Sequence, residues 1–150
     1  MVQFYFLALV LQLIGAVVLL EDQFSAKFPL VHSIKGYCME SSTSRVVLIV
    51  LTGIVGIMKL ITPIQPGPAV IGDFFPAINL MALCVFYVFE GRKLDKPEEE
   101  VEIPIDDSDQ PEGEHIEKVR SFYYTNKRII GYVTLGVAFF HFLFPGAVLL

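Results

Sequence analysis

Charge is what this chain has least of. Lys, Arg, Asp and Glu make up 18% of its 150 residues and hydrophobic residues 54%, where a soluble domain carries about 25% charged and about 45–50% apolar residues. That balance excludes an ordinary soluble domain and points to a lipid bilayer. Cysteine is nearly absent as well: Cys38 and Cys84 stand far apart with no CxxC spacing, which excludes a disulfide framework or a thiolate metal site. Of three histidines, His32, His115 and His141, only His141 falls in an apolar run, so a haem held between two histidines of one chain is excluded. No Lys or Arg precedes Lys27. The N-terminal apolar run therefore lacks the basic flank of a secretory signal peptide, and it reads as a membrane span instead. Neither a Gly-rich phosphate loop nor a nucleophile with a base occurs, so a non-enzymatic protein without cofactor or metal, and without nucleic acid as a partner, is expected.

What is present is a set of long apolar runs. Met1 to Leu20 carries no charge at all, and twenty residues at about 1.5 Å each cross the roughly 30 Å hydrocarbon core. Further runs lead to an all-α membrane protein with four transmembrane helices, over about 2–20, 46–64, 73–90 and 128–145, forming one domain over 1–150. SSTSR before the second span and TNKR before the fourth offer helix-capping side chains, and Asp73 is placed to cap the third, with Pro76 tolerated in its first turn.

Ten of the eleven Lys and Arg residues fall in two segments, 21–45 and 91–128. By the positive-inside rule these segments are cytoplasmic and both termini face out, in a membrane of the bacterial inner (cytoplasmic) type. Acidic residues are just as local. Eleven of sixteen lie between Asp95 and Glu117, and the dense like charge and proline of 94–118 predict a disordered acidic cytoplasmic loop. Within it Val101, Ile103 and Ile105 form a short apolar island, read either as tolerated aliphatics of a linker or as a segment that docks on a protein partner.

Residues 42–62 laid on 125–145 pair Arg45 with Arg128, Val50 with Val133, Gly53 with Gly136 and Leu60 with Leu143, the pattern expected of a duplicated helical hairpin. Thr52 and Gly56 lie four apart, and with Gly53, Gly131 and Gly136 they supply small residues for close helix packing. In carrying an Arg, a Gly and a Lys along one helix, RVVLIVLTGIVGIMKLITP (45–63) resembles a helix of small four-span DoxX-like membrane proteins. The resemblance covers one span of four and brings no function with it.

Polar side chains within the runs are few, and each is costly in hydrocarbon, so each needs a place. Counted from the basic ends, Lys59 and His141 lie roughly 20 Å up their helices, and Asn79 lies roughly 9 Å below Asp73. Lys59, Asn79 and His141 share the outer half of the membrane, with Gln12 a little deeper. Three readings of Lys59 follow: snorkelling to the outer surface, pairing with Asp73 to pin a helical hairpin, or joining Asp73, Asn79 and His141 in a polar pocket that binds an ion or relays protons. The expected function is an accessory or assembly subunit, in a homo-oligomer or with a protein partner, contacting that partner through the acidic loop. A small oligomeric transporter or channel is the alternative.

Overall fold

The computed structural model describes residues 2–61, 74–94 and 111–143. Asp73, Val101, Ile103 and Ile105 lie outside the described residues. Six helices form there: α1 (Val2–Phe24), α2 (Pro29–Met39), α3 (Ser42–Ile61), α4 (Phe74–Leu94), α5 (Pro111–Thr125) and α6 (Lys127–Leu143). Three segments, Gln3–Phe24, Ser42–Ile61 and Phe74–Arg92, are long and apolar enough to cross a membrane. The described part of α6 has 17 residues, or about 25 Å.

Local signals set several of these ends. Ser41 Oγ accepts the Ser44 backbone N–H at 3.5 Å, so α3 starts at Ser42, four residues before the apolar run. Pro29 opens α2 after an extended Phe28, where a missing N–H costs nothing. Asn126 serves differently from the N-cap expected of it. Its amide donates to the Phe122 carbonyl at 2.9 Å and closes the end of α5. Both α2 and α5 occupy segments expected to be loops, and α5 takes over 111–118 of the acidic stretch expected to be disordered.

The long helices pack as α3 against α4 and α1 against α6, and α1 also touches α3 and α4. Tyr5 near the start of α1 meets His141 near the end of α6, and Gln12 meets Pro76 at the start of α4. α1 and α4 therefore run opposite to α3 and α6. Where helices come closest, side chains are missing. A Cβ on Gly131 would sit 2.7 Å from Leu20 Cγ and 3.1 Å from Leu19 Cβ, and one on Gly56 would sit 3.4 Å from Leu80 Cβ. Gly53 faces Cys84 in the same way. Gly136 differs from Gly131 and Gly56, since a Cβ there would meet no atom of the described residues within 4 Å. It lines instead an apolar groove of about 580 Å³ between α1 and α6, with Leu9, Leu13, Tyr132 and Phe139.

The distribution of polarity is inverted relative to a soluble bundle. Val46, Val50, Ile54, Ile57 and Ile61 form an exposed apolar stripe on α3, and Ile129, Val133, Phe139, Phe140 and Phe142 do the same on α6. Gln12, Thr52, Lys59, Asn79, Thr134 and His141 are all buried between the helices, among Leu11, Val18, Val55, Leu80, Leu83 and Phe86. Such a bundle suits a solvent as apolar as its own surface. An ionic layer closes the other end. Glu21 meets His32 and Lys35, each at 3.0 Å, Asp22 meets Lys127 at 2.8 Å, Arg45 Nη1 donates to the Met39 carbonyl at 3.1 Å, and Tyr124 donates to Glu90 at 2.9 Å.

Candidate functional site

Seven-residue spacing brings the interior polar groups together. Arg45, Thr52 and Lys59 on α3 are successive at that interval, as are Lys127, Thr134 and His141 on α6 and Tyr5 and Gln12 on α1. Helices that wind about one another keep such residues on one seam, so a single face of each helix carries them into the bundle. The polar faces of α3 and α6 therefore correspond at an offset of 82 residues, one less than the 83 at which Arg45 and Gly53 align with Arg128 and Gly136. At the upper end of the seam Lys59 Nζ lies 3.0 Å from His141 Nε2, with Lys59 4% exposed and His141 fully buried. Lys59 does not snorkel along the lipid face. Its ammonium turns inward, over the ring of Tyr5 at 5.4 Å from the centroid, within the range of a cation–π contact. Tyr5 also donates its hydroxyl to the His141 carbonyl at 2.6 Å, and its ring stands 4.6 Å from the imidazole. One aromatic side chain thus positions both partners.

The bond between Lys59 and His141 has two forms. Either the ammonium donates to a neutral imidazole whose proton is on Nδ1, or an Nε2–H donates to a neutral amine. Two full positive charges at this distance would repel by about 5 kcal/mol at an effective dielectric of about 20. The hydrogen bond itself needs one of the two nitrogens as acceptor, and either side chain can supply it.

Of the four residues expected to share a polar level, Lys59 and His141 meet, and Asn79 does not join them. Its Oδ1 accepts from Thr134 Oγ1 at 3.0 Å, one to two turns deeper. Gln12 Nε2 donates to the Pro76 carbonyl at 3.3 Å, one turn from Asn79 on α4. Tyr5 is a site residue that polarity and depth do not pick out, although its seven-residue spacing to Gln12 is visible in the sequence; Thr134 stands out by polarity below the outer level, but its contact with Asn79 does not. Among the described residues no three His, Cys, Asp or Glu side chains are grouped to hold a metal ion. Cys38 and Cys84 are free thiols.

Fold and site together define a helical bundle of the membrane type with a buried, hydrogen-bonded Lys–His pair. A family model matches residues 1–141, and the chain belongs to that family, which is uncharacterised. No curated protein and no solved structure matches the chain.

Proposed function

We propose that this is a four-span integral membrane protein that binds a proton at Lys59–His141, as the coupling site of a small proton-linked transporter or channel. One observation carries the reading: a 3.0 Å Lys–His contact, shielded from solvent, within a bundle whose outer surface is apolar. Ionisable groups at such depth are costly, and they recur where ions or protons pass. α6 completes the bundle as the fourth span. On this reading the positive-inside rule puts the ionic layer toward the cytoplasm and Lys59–His141 in the outer half. A duplicated hairpin fits as well, because the tight pairs α3–α4 and α1–α6 are those that a twofold axis along the membrane normal would exchange.

Proton flux into liposomes loaded with a pH-sensitive dye tests this reading. Lys59→Met and His141→Leu should each reduce flux at least tenfold under a fixed membrane potential. Flux equal to wild type in both variants, at matched reconstitution, would remove it.

A second reading, the accessory subunit, draws support from α5. Its Ile116, Val119 and Phe122 are exposed along one face at the end of the acidic stretch and just beyond it, which gives a protein partner both charge and apolar surface. Affinity purification from the native membrane, for the whole chain and for one lacking 98–112, tests it. A stoichiometric partner lost on deletion supports a docking subunit, and a lone homo-oligomer in both cases removes it.

A further inference from the structure

Beneath the Lys59–His141 pair, all four long helices turn one polar side chain inward: Gln12 from α1, Thr52 from α3, Asn79 from α4 and Thr134 from α6. Gln12, Thr52 and Thr134 are fully buried, and Asn79 is 8% exposed. Their mutual bonding is incomplete. Thr134 Oγ1 donates to Asn79 Oδ1 and Gln12 Nε2 donates to the Pro76 carbonyl, but among the described residues Gln12 Oε1, Asn79 Nδ2 and Thr52 Oγ1 have no hydrogen-bonding partner. The three orphans are complementary in kind. Gln12 Oε1 is an acceptor, Asn79 Nδ2 a donor, and the Thr52 hydroxyl is both.

Their positions follow from the packing. Lys59 and His141 are in contact, and α3 and α6 run in the same direction, so seven residues lower Thr52 and Thr134 hold equivalent places on the two helices. Thr134 touches Asn79, and Gln12 touches the carbonyl one turn above Asn79. The unmet atoms thus belong to one level of the bundle, about 10 Å below the Lys–His pair. Buried polar atoms are nearly always satisfied, and a group of two to four of them in one place is what an internal water binds.

We propose that Gln12, Thr52, Asn79 and Thr134 form a water-binding chamber at the centre of the bundle. Water there accepts from Asn79 Nδ2, donates to Gln12 Oε1 and exchanges either role with Thr52 Oγ1. The chamber itself stands on the orphaned atoms alone. Its use as the first inward station for a proton leaving Lys59–His141 rests on the proton-binding reading above.

Water-edited solid-state NMR on the intact wild-type protein in liposomes tests the chamber directly. Magnetisation from water should reach the Asn79 side-chain amide at mixing times too short to reach the backbone amides of Leu80 and Leu83. Equal, slow transfer at all three sites would show a dry bundle and overturn the proposal. Stability supplies a second reading of opposite sign. If water satisfies its hydroxyl, Thr52→Val should lower the melting temperature in detergent by roughly 2–4 °C while Thr52→Ser restores it. An unchanged or raised melting temperature in Thr52→Val would also overturn the chamber, because removing an orphaned hydroxyl costs nothing. Neither measurement depends on proton flux. A wet chamber in a protein that conducts no protons would leave the site standing and remove only the function above it.

Discussion

Lys59 Nζ and His141 Nε2 lie 3.0 Å apart across the bundle although 82 residues separate them along the chain. Removing either partner leaves the other with one fewer buried hydrogen bond, so the two substitutions should not add. We predict that Lys59→Met, His141→Leu and the double variant give a coupling energy of at least about 1 kcal/mol in detergent unfolding. Additivity within about 0.3–0.5 kcal/mol would mean that the contact has no energetic weight.

Close approach of α1 and α6 depends on Gly131, where a Cβ would press on Leu19 Cβ and Leu20, while a Cβ on Gly136 of the same helix would meet no atom of the described residues within 4 Å. Gly131→Ala is expected to destabilise by about 1–3 kcal/mol through overpacking. Gly136→Ala is expected to be neutral or to stabilise slightly, by relieving the cost of glycine in a helix. Thermal unfolding of the two variants side by side checks the ordering, and equal losses would contradict this packing.

Glu21 accepts from both His32 and Lys35, and so fastens α2 to the end of α1. Glu21→Gln should weaken both contacts and loosen α2. Amide hydrogen exchange should rise across 30–39 and remain unchanged in the middle of α1. Unaltered protection in α2 would assign its position to Met39 and its apolar neighbours.

Partial burial, then the hydrogen bond to Glu90, pushes the Tyr124 phenol up to about 12. In the unfolded chain a tyrosine ionises near 10. Below pH 10 both states keep the proton, and the contribution is fully present. Between about 10 and 12 the unfolded state releases the proton first, so stability falls as pH rises. Tyr124→Phe should remove this alkaline loss and the matching late step in phenolate absorbance at 295 nm. An identical late step in wild type and variant would assign that ionisation elsewhere.

Much of the fold is legible in the sequence. The apolar runs locate α1, α3 and α4 to within a few residues, because a bilayer demands length and apolarity that little else explains. α2 and α5 escape such a reading. Their apolar residues, Leu30, Ile34 and Tyr37 in one and Ile116, Val119 and Phe122 in the other, recur at helical spacing, but the segments are rich in polar and charged residues. Such short amphipathic helices carry a much weaker signal than a span.

The site divides in the same way. Composition and depth alone single out Lys59, Asn79 and His141 as groups that hydrocarbon does not tolerate without a reason. Depth gives height along the membrane normal and says nothing of direction around a helix. Whether Lys59 reaches outward for the surface or inward for a partner is decided by rotation about α3, which packing against α4 sets through Gly53 and Gly56. By itself the sequence determined that the chain is a helical, membrane-type protein and that its few polar residues carry meaning. Only the tertiary structure decided that Lys59 meets His141, that Tyr5 spans both, and that Asn79 belongs to a deeper level, because those contacts join helices far apart in the chain.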